Sequence, residues 1–204
     1  MKNLVFQFSD MLKRVTQLVL WTETLDRPRC LWLPGLFSPS AYLTAILQTT
    51  GRMTGWALDK MTTETHITTI SEPQGPSLVK TQPENGVYVH GLFLEGARWP
   101  VGDEVEEKTI LGGAEVGGAL MDGRLKELLP QLPIVYIRAC EVEPSWEASG
   151  VGYLRHVDGI YECPVYFTTF RGPTYVFLAT LQTVDPKSKW VLAGTAVIMQ
   201  TNDA

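Results

Sequence analysis

The sequence has few of the residues from which catalytic, metal-binding or nucleic-acid-binding sites are built. Only three of its 204 residues are cysteines and only three are histidines. Cys30, Cys140 and Cys163 are odd in number and have no Cys-x-x-Cys spacing, so the sequence predicts packed, reduced thiols and no zinc site. The net charge of −5 and the lack of any lysine or arginine run argue against a nucleic-acid-binding face.

The sequence also lacks an uninterrupted apolar stretch of membrane length. The first twenty residues are rich in apolar side chains, but Asp10, Lys13 and Arg14 interrupt them. A bilayer-spanning helix needs about 20 mainly apolar residues, and a signal peptide needs an unbroken apolar core. We therefore expect neither a membrane helix nor a secretory leader in this stretch.

The same twenty residues do contain the pattern of an amphipathic helix. Apolar residues recur at helical spacing on one face, and polar residues occupy the opposite face. The apolar face comprises Leu4, Phe8, Met11, Leu12, Val15, Leu18 and Val19, and the polar face Asp10, Lys13, Arg14 and Gln17. No capping residue precedes the pattern, so we expect the helix to start within a longer helical region of a larger protein.

A second helix is predicted after residue 38. Ser38 is suited to cap the first free amides, Pro39 fits the first helical position, and Gly51 could supply a left-handed stop. The predicted buried face consists of Tyr42, Leu43, Ala45, Ile46 and Leu47. The connection before it, residues 26–37, is expected to pack the two helices together through Trp32, Leu33, Leu36 and Phe37.

Beyond residue 60 the pattern changes to short β-branched and aromatic runs separated by turn residues. Six strands are predicted, over residues 62–70, 87–94, 133–140, 161–168, 174–182 and 190–200. Successive strands without intervening helices favour an antiparallel sheet that curls into a small barrel. The sequence thus predicts an α+β protein, with a helical subdomain over residues 1–60 and a β-barrel subdomain over residues 61–204. Long loops are expected at residues 100–122 and 141–158.

Groups that could carry chemistry are sparse, and each has a plainer interpretation. The GGAEVGG segment (112–118) lacks the lysine and the following helix of a phosphate-binding loop, which favours a flexible insert. Histidine is a common general base in catalysis, but no GxSxG elbow or cysteine-nucleophile pattern accompanies the three histidines. A Ser-His-Asp arrangement stays open. Glu95 and Glu162 could act as an acid pair only if they faced each other across a cleft.

The cluster of Glu95, Arg98 and Trp99 leaves two interpretations open. Arginine can pair with a carboxylate and stack on an indole face. The three side chains could form an intradomain strut that closes the barrel, or a docking patch for a neighbouring module. Arg171 poses the same choice. Charged residues make up 19% of the sequence, below the roughly 25% usual for a soluble domain, which fits a surface partly covered by a partner.

Several longer strings carry a resemblance to a known family. They are DRPRC (26–30), WLPGLFSPSAYLTAILQ (32–48), GWALD (55–59), GVYVHGLFLEGARW (86–99), RLKEL (124–128), YECPVY (161–166), RGPTYV (171–176) and KWVLAG (189–194). In this order they resemble the C-terminal domain of a dynein heavy chain. The resemblance extends over about residues 26–200, apart from two variable loops, and is strongest to an axonemal outer-arm chain of the β type.

The resemblance implies a fold, a role and a location. It implies helices followed by an incomplete six-stranded barrel, without a cofactor or catalytic site of its own, because the motor hydrolyses ATP in AAA+ modules outside this segment. It implies packing on the AAA+ ring of the same heavy chain, among the other dynein subunits, and tuning of motor activity in microtubule-based movement. The implied location is the cytoplasm and cytoskeleton, in the axoneme of a cilium or flagellum.

A second hypothesis from another class is a small-ligand or carbohydrate-binding barrel. Trp99 and Trp146 motivate it, since exposed indoles can serve as stacking platforms. An open cleft lined by both would favour this hypothesis, and an interior filled with side chains would count against it. A hydrolase is a third and more distant alternative.

Overall fold

The computed structural model describes residues 2–70, 75–97, 99, 129–149, 152–155, 158–169, 172–183 and 185–199. Its helices are α1 (Lys2–Thr24), α2 (Pro39–Thr54), α3 (Gly75–Leu78) and α4 (Lys187–Ala193). Its strands are β1 (Cys30–Trp32), β2 (Met61–Ile67), β3 (Gly86–His90), β4 (Leu92–Glu95), β5 (Val135–Glu141), β6 (Glu147–Ser149), β7 (Gly152–Leu154), β8 (Ile160–Thr169), β9 (Gly172–Gln182) and β10 (Ala196–Met199). The predicted α+β class is confirmed.

The strands form two four-stranded sheets and one small hairpin. Sheet I has the order β1-β3-β5-β2, sheet II has the order β4-β10-β8-β9, and β6 pairs with β7. Two pairs are parallel, β1 with β3 and β10 with β8, so the prediction of a purely antiparallel sheet is wrong. Among the described residues no closed barrel is found, and the barrel is not confirmed.

Strand β1 lies in the connection that the sequence pattern left without secondary structure. Its residues pair with β3 in the register Cys30 to Tyr88 and Trp32 to His90. Leu31 and Leu33 are fully buried there, whereas Phe37 is 82% exposed. The first sixty residues therefore contribute a strand to the sheet as well as two long helices, and the division at residue 60 stays a prediction.

One predicted strand, residues 87–94, is divided between the two sheets at Gly91. This glycine has φ +82°, and a Cβ on it would lie 2.7 Å from the Trp32 ring. Only a residue without a side chain adopts this conformation there without strain. The apolar run on either side therefore supplies β3 to sheet I and β4 to sheet II.

The predicted last strand, residues 190–200, is wrong in its first half. Residues up to Ala193 form helix α4, and Gly194 ends it with φ +65°. Trp190 is fully buried, stacks on Tyr161 at a ring distance of 4.9 Å, and donates its indole N–H to Thr183 Oγ1 at 3.0 Å. The second half forms β10, which lies between β4 and β8 and so has no free edge.

Helix α2 starts where the sequence predicts and ends later. The left-handed stop is Gly55, with φ +79°, and not Gly51. Gly51 lies buried inside the helix, where a Cβ would come within 3.1 Å of Met61 Sδ. The missing side chain lets α2 approach β2 closely. Ser38 precedes the helix without a side-chain capping bond, and Ala45, predicted as buried, is exposed.

The core lies between the sheets and under α2. Its fully buried members include Val89, Leu94, Ile137, Val165 and Val197. In β9 the residues Phe177, Ala179 and Leu181 are buried, and the intervening Thr180 is buried as well. No helix in the described part of the protein is both long and apolar enough to cross a bilayer.

Candidate docking site

Helix α1 packs on the rest of the domain with its polar face, the reverse of the usual arrangement. The half-buried side chains along it are Asp10, Arg14 and Gln17 of the polar face, together with Trp21 and with Leu18, which was predicted on the apolar face. The apolar face points outward, and we call its described part the outer stripe: Phe8 (67% exposed), Met11 (60%), Leu12 (67%), Val15 (49%) and Val19 (45%). The side chain of Leu4 lies outside the described residues.

Gln17 explains how a polar face can pack against a sheet. Its side-chain amide accepts a hydrogen bond from the Trp32 backbone N–H at 2.8 Å and donates one to the Trp32 carbonyl at 3.2 Å. The amide thus occupies the place of a neighbouring strand beside β1, which is an edge strand of sheet I. Unpaired edges favour aggregation, and covering them is a common protein strategy. Gln17 therefore positions α1 and also provides hydrogen-bond partners for the backbone groups of Trp32 at this edge.

Arg14 fixes the same helix one turn earlier. Its Nη1 donates to the Gly35 carbonyl at 3.0 Å, and its Nε donates to Asp10 Oδ2 at 2.9 Å. The guanidinium lies 5.7 Å from the Trp32 ring centre and 5.8 Å from that of Phe37. These directional contacts hold α1 in one orientation, so the outward direction of the outer stripe is specified.

The outer stripe leaves a row of large apolar side chains exposed along one helix. Five large apolar side chains at helical spacing are close to half exposed or more. Burying a side chain of this size contributes roughly 1.5–3 kcal/mol, so leaving five in water forgoes a large stabilisation. A contiguous apolar patch of this kind marks an interaction surface.

A cavity of about 780 Å³ lies between α1, the connection to β1, and the β3–β4 junction. Its walls include the aromatic residues Trp21, Trp32 and Phe93, together with Leu12 and Leu20 from α1. Four further lining residues are charged: Lys13, Asp26, Arg27 and Arg29. The cavity therefore combines apolar walls with an excess of positive charge, directly beside the outer stripe.

A partly buried ionic cluster, here called the seam cluster, joins the two sheets. It consists of Glu64 on β2, Arg138 on β5, Glu162 on β8 and Arg155 just after β7. Arg155 is 4% exposed; its Nη1 donates to Glu64 Oε1 at 2.8 Å and its Nε lies 3.3 Å from Glu162 Oε1. Trp146 covers the guanidinium at 4.1 Å, which ties the β6–β7 hairpin to both sheets.

The pKa values of the two carboxylates in the seam cluster are shifted in opposite directions. Hydrogen bonding to His66, and then to Arg138 with the charge of Arg155, holds the pKa of Glu64 far below its usual range. Burial raises the pKa of Glu162, against the opposing effect of Arg155. Glu64 is thus ionised near neutral pH, whereas burial makes the ionised form of Glu162 less favourable.

Two thiols are held in their unreactive form. Burial raises the pKa of Cys140 to about 11 and raises that of the fully buried Cys163 further. A thiolate is the reactive species, so both groups are poor nucleophiles and poor ligands near neutral pH. No disulfide joins the three cysteines, and no group of His, Cys, Asp and Glu side chains suited to a metal occurs among the described residues.

The site residues expected from the sequence are only partly described. Glu95 ends β4 and lies opposite Ala196 of β10. Trp99 is half-buried and packs against the hydrophobic core. Arg98 and Arg171 lie outside the described residues, so the choice between a strut and a docking patch stays open.

The other candidates are placed as follows. Glu162 pairs with Arg155 and accepts a bond from Thr180, and no described contact joins it to Glu95. His90, half-buried at the end of β3, lines the large cavity, and His66 lies 3.4 Å from Glu64. The GGAEVGG segment and His156 lie outside the described residues. One face of the Trp146 ring is covered by Arg155 and is therefore not free to stack on a ligand.

Sequence reasoning identified the outer stripe but missed its direction and the residues that fix it. Gln17 and Arg14 were assigned only to the polar face. They bind the backbone of Trp32 and Gly35, which lie 15 and 21 residues further along the sequence, and no local pattern encodes such contacts. Arg155 was missed because the seam cluster joins three separate strands and a hairpin.

Comparison with known proteins places this protein among dynein heavy chains. The family model described as the C-terminal domain of dynein heavy chains matches residues 1–199. The sequence is 36% identical over 200 residues to dynein axonemal heavy chain 17 of Homo sapiens, and 37% over 193 residues to the ciliary dynein beta chain of Tripneustes gratilla. It is 35% identical over 190 residues to the flagellar outer-arm dynein beta chain of Chlamydomonas reinhardtii.

These alignments cover 98%, 95% and 93% of the 204-residue sequence in that order, and 4% of each relative. The protein therefore spans a small part of the length of the curated relatives that it matches. The likeness to axonemal and outer-arm β chains that the sequence motifs predicted is confirmed.

Proposed function

This protein belongs to the family of C-terminal domains of dynein heavy chains, and from that premise we propose that it is a non-catalytic domain that docks on the AAA+ ring of its own heavy chain and tunes the motor. The outer stripe of α1 is the observation that carries the proposal. It is an apolar surface held facing outward by specific polar contacts, on a protein that spans 4% of its relatives.

The proposed mechanism is a brace. A rigid domain bound across neighbouring modules stabilises some arrangements of the ring more than others. The difference in binding free energy between two arrangements shifts their populations, so nucleotide-driven changes are altered without any contact to a phosphate. The seam cluster supports this role, since it ties both sheets and a hairpin into one body.

The proposed setting follows from the relatives, which are named as axonemal, ciliary and flagellar dyneins. We place the protein in the axonemal cytoskeleton of a cilium or flagellum, within a dynein complex that drives microtubule-based movement. The nucleotide chemistry is assigned to the parent heavy chain. The protonated state of Cys140 and Cys163 and the pairing of Glu64 fit a domain whose polar groups serve structure.

The test uses the full-length heavy chain with the outer stripe made polar by Phe8→Gln, Met11→Gln and Val15→Gln together. We expect altered microtubule gliding velocity and altered microtubule-stimulated ATPase rate, because the domain no longer docks. The matched control is Val191→Gln with Leu192→Gln, since both residues are exposed and apolar but lie on α4. Wild-type velocity and ATPase rate in the outer-stripe variant would contradict the proposal.

A further inference from the structure

We propose that the cavity beside α1 binds an acidic segment with apolar side chains from another part of the same heavy chain. The inference rests on the proposed function, because it names the chemistry of the partner that covers α1. The cavity volume of about 780 Å³ falls within the roughly 300–1,000 Å³ of sites that enclose a ligand or a few large side chains.

The charge of the cavity is opposite to the charge of the domain. The whole protein has 22 acidic and 17 basic residues and a net charge of −5. Among the residues that the structure describes, the cavity walls contain Lys13, Arg27 and Arg29 but a single acidic residue, Asp26. A local excess of cations on an acidic protein attracts an acidic partner, and complementary charge of this kind selects one partner over others.

The wall residues also indicate which chemical groups of the partner they would bind. Arg27 and Arg29 lie in the connection between α1 and β1, and arginine presents a planar fork that matches a carboxylate. The rings of Trp21, Trp32 and Phe93 supply apolar contact surface from three different elements. A segment with an apolar side chain next to Asp or Glu would satisfy both kinds of wall at once.

Continuity with the outer stripe favours a polypeptide over a small molecule. Leu12 belongs to both the cavity wall and the outer stripe, and the neighbouring wall residue Leu20 is 59% exposed. A polypeptide bound in the cavity would therefore contact the edge of the outer stripe where it extends out of the cavity. The relatives that the protein matches are far longer than it is, so the rest of the heavy chain offers such a segment without a separate partner.

The experiment measures hydrogen exchange of residues 8–32 in the full-length heavy chain and in the 204-residue protein. We expect stronger protection in the heavy chain, weakened by salt because exposed charge pairs are screened. Arg27→Glu with Arg29→Glu should lower that protection at least about tenfold at low salt, since it places like charges together. The milder pair Arg27→Gln with Arg29→Gln should lower it less.

The matched control is Arg52→Glu, an exposed arginine in the last turn of α2 that does not line the cavity. It should leave the protection unchanged, and circular dichroism of the 204-residue variants should match the wild type. Equal loss in the Arg52 variant would overturn the inference, because the effect would then follow net charge alone.

The outcomes separate this inference from the proposed function. If the outer-stripe variant loses protection and the Arg27/Arg29 variants do not, docking stands and the acidic partner is wrong. If the 204-residue protein is already as protected as the heavy chain, the occupant is not another segment, and this inference is overturned. If no variant changes protection or motility, both fail.

Discussion

The α1 interface and the seam cluster both consist of polar contacts, but they lie in opposite surroundings. At α1, Gln17 and Arg14 bind backbone groups at the domain surface while the apolar side of the helix faces outward. In the seam cluster, Arg155 is enclosed between two carboxylates and the Trp146 ring. The first arrangement fixes the outward direction of the outer stripe, and the second joins the two sheets and the β6–β7 hairpin. The polar contacts between the sheets are thus enclosed within the domain, whereas those of the first helix leave an apolar surface exposed.

The largest loss of stability is expected when the enclosed seam cluster is disrupted. Arg155→Ala leaves Glu162 buried without its cation and removes one partner of Glu64. Breaking a buried ion pair from one side costs about 3–5 kcal/mol. We expect the free energy of unfolding of the 204-residue protein to fall by this amount in urea titration.

The matched control is Arg138→Ala, which removes the other arginine bound to Glu64. Its side chain is 46% exposed, and exposed ion pairs contribute less than about 1 kcal/mol. If both variants lose the same stability, burial is not what distinguishes the seam cluster.

A smaller and local effect is expected on the open side. Gln17→Ala leaves the Trp32 N–H and carbonyl without the side-chain amide. Leaving such backbone groups unpaired costs about 1–3 kcal/mol. We expect this cost to lower the free energy of local opening of α1, while the sheets stay folded. Hydrogen exchange of α1 should speed up, and the urea midpoint of the whole protein should change little. Gln48→Ala, on an exposed part of α2, is the control and should affect neither. Global loss of stability instead would mean that α1 and the sheets unfold together.

The smallest expected effect is a change in how the stability of the protein depends on pH. The pKa of Glu64 is lowered by His66, Arg138 and Arg155, so its pairs stabilise the fold above the unfolded pKa of about 4.3 and are lost as pH falls below it. Glu162 has a raised pKa, so its ionisation opposes folding as pH rises. The Glu64→Gln variant should therefore lose less stability than the wild type between about pH 7 and about pH 3. Parallel urea-derived curves for the two proteins would refute this assignment.

The sequence predicted those parts of the fold whose information is local. Residues 161–168 and 174–182 were predicted as strands and correspond to β8 and β9, because runs of β-branched and aromatic residues mark strands without long-range information. The start of α2 followed from Pro39 for the same reason. Strand β1 escaped prediction because three residues between prolines carry no period, and it exists only through its pairing with β3.

The errors have a common physical cause in tertiary contacts. The run from Trp190 to Ala193 is as apolar as a strand, yet Trp190 is buried against Tyr161 from a helix. Helical spacing located the outer stripe of α1 but contains no information on which face meets the sheet. That choice is made by Gln17 and the edge of β1, and the cavity beside them likewise exists only in the assembled fold.

Gly91 gives the domain a mechanical property. Because one residue separates β3 from β4, the backbone passes from sheet I to sheet II without a slack loop. A pull on the α1 end of the molecule reaches β1, then its ladder to β3, and then sheet II across a joint one residue long. Tension on α1 that passes through Gln17 would therefore reach sheet II by way of a single connecting residue.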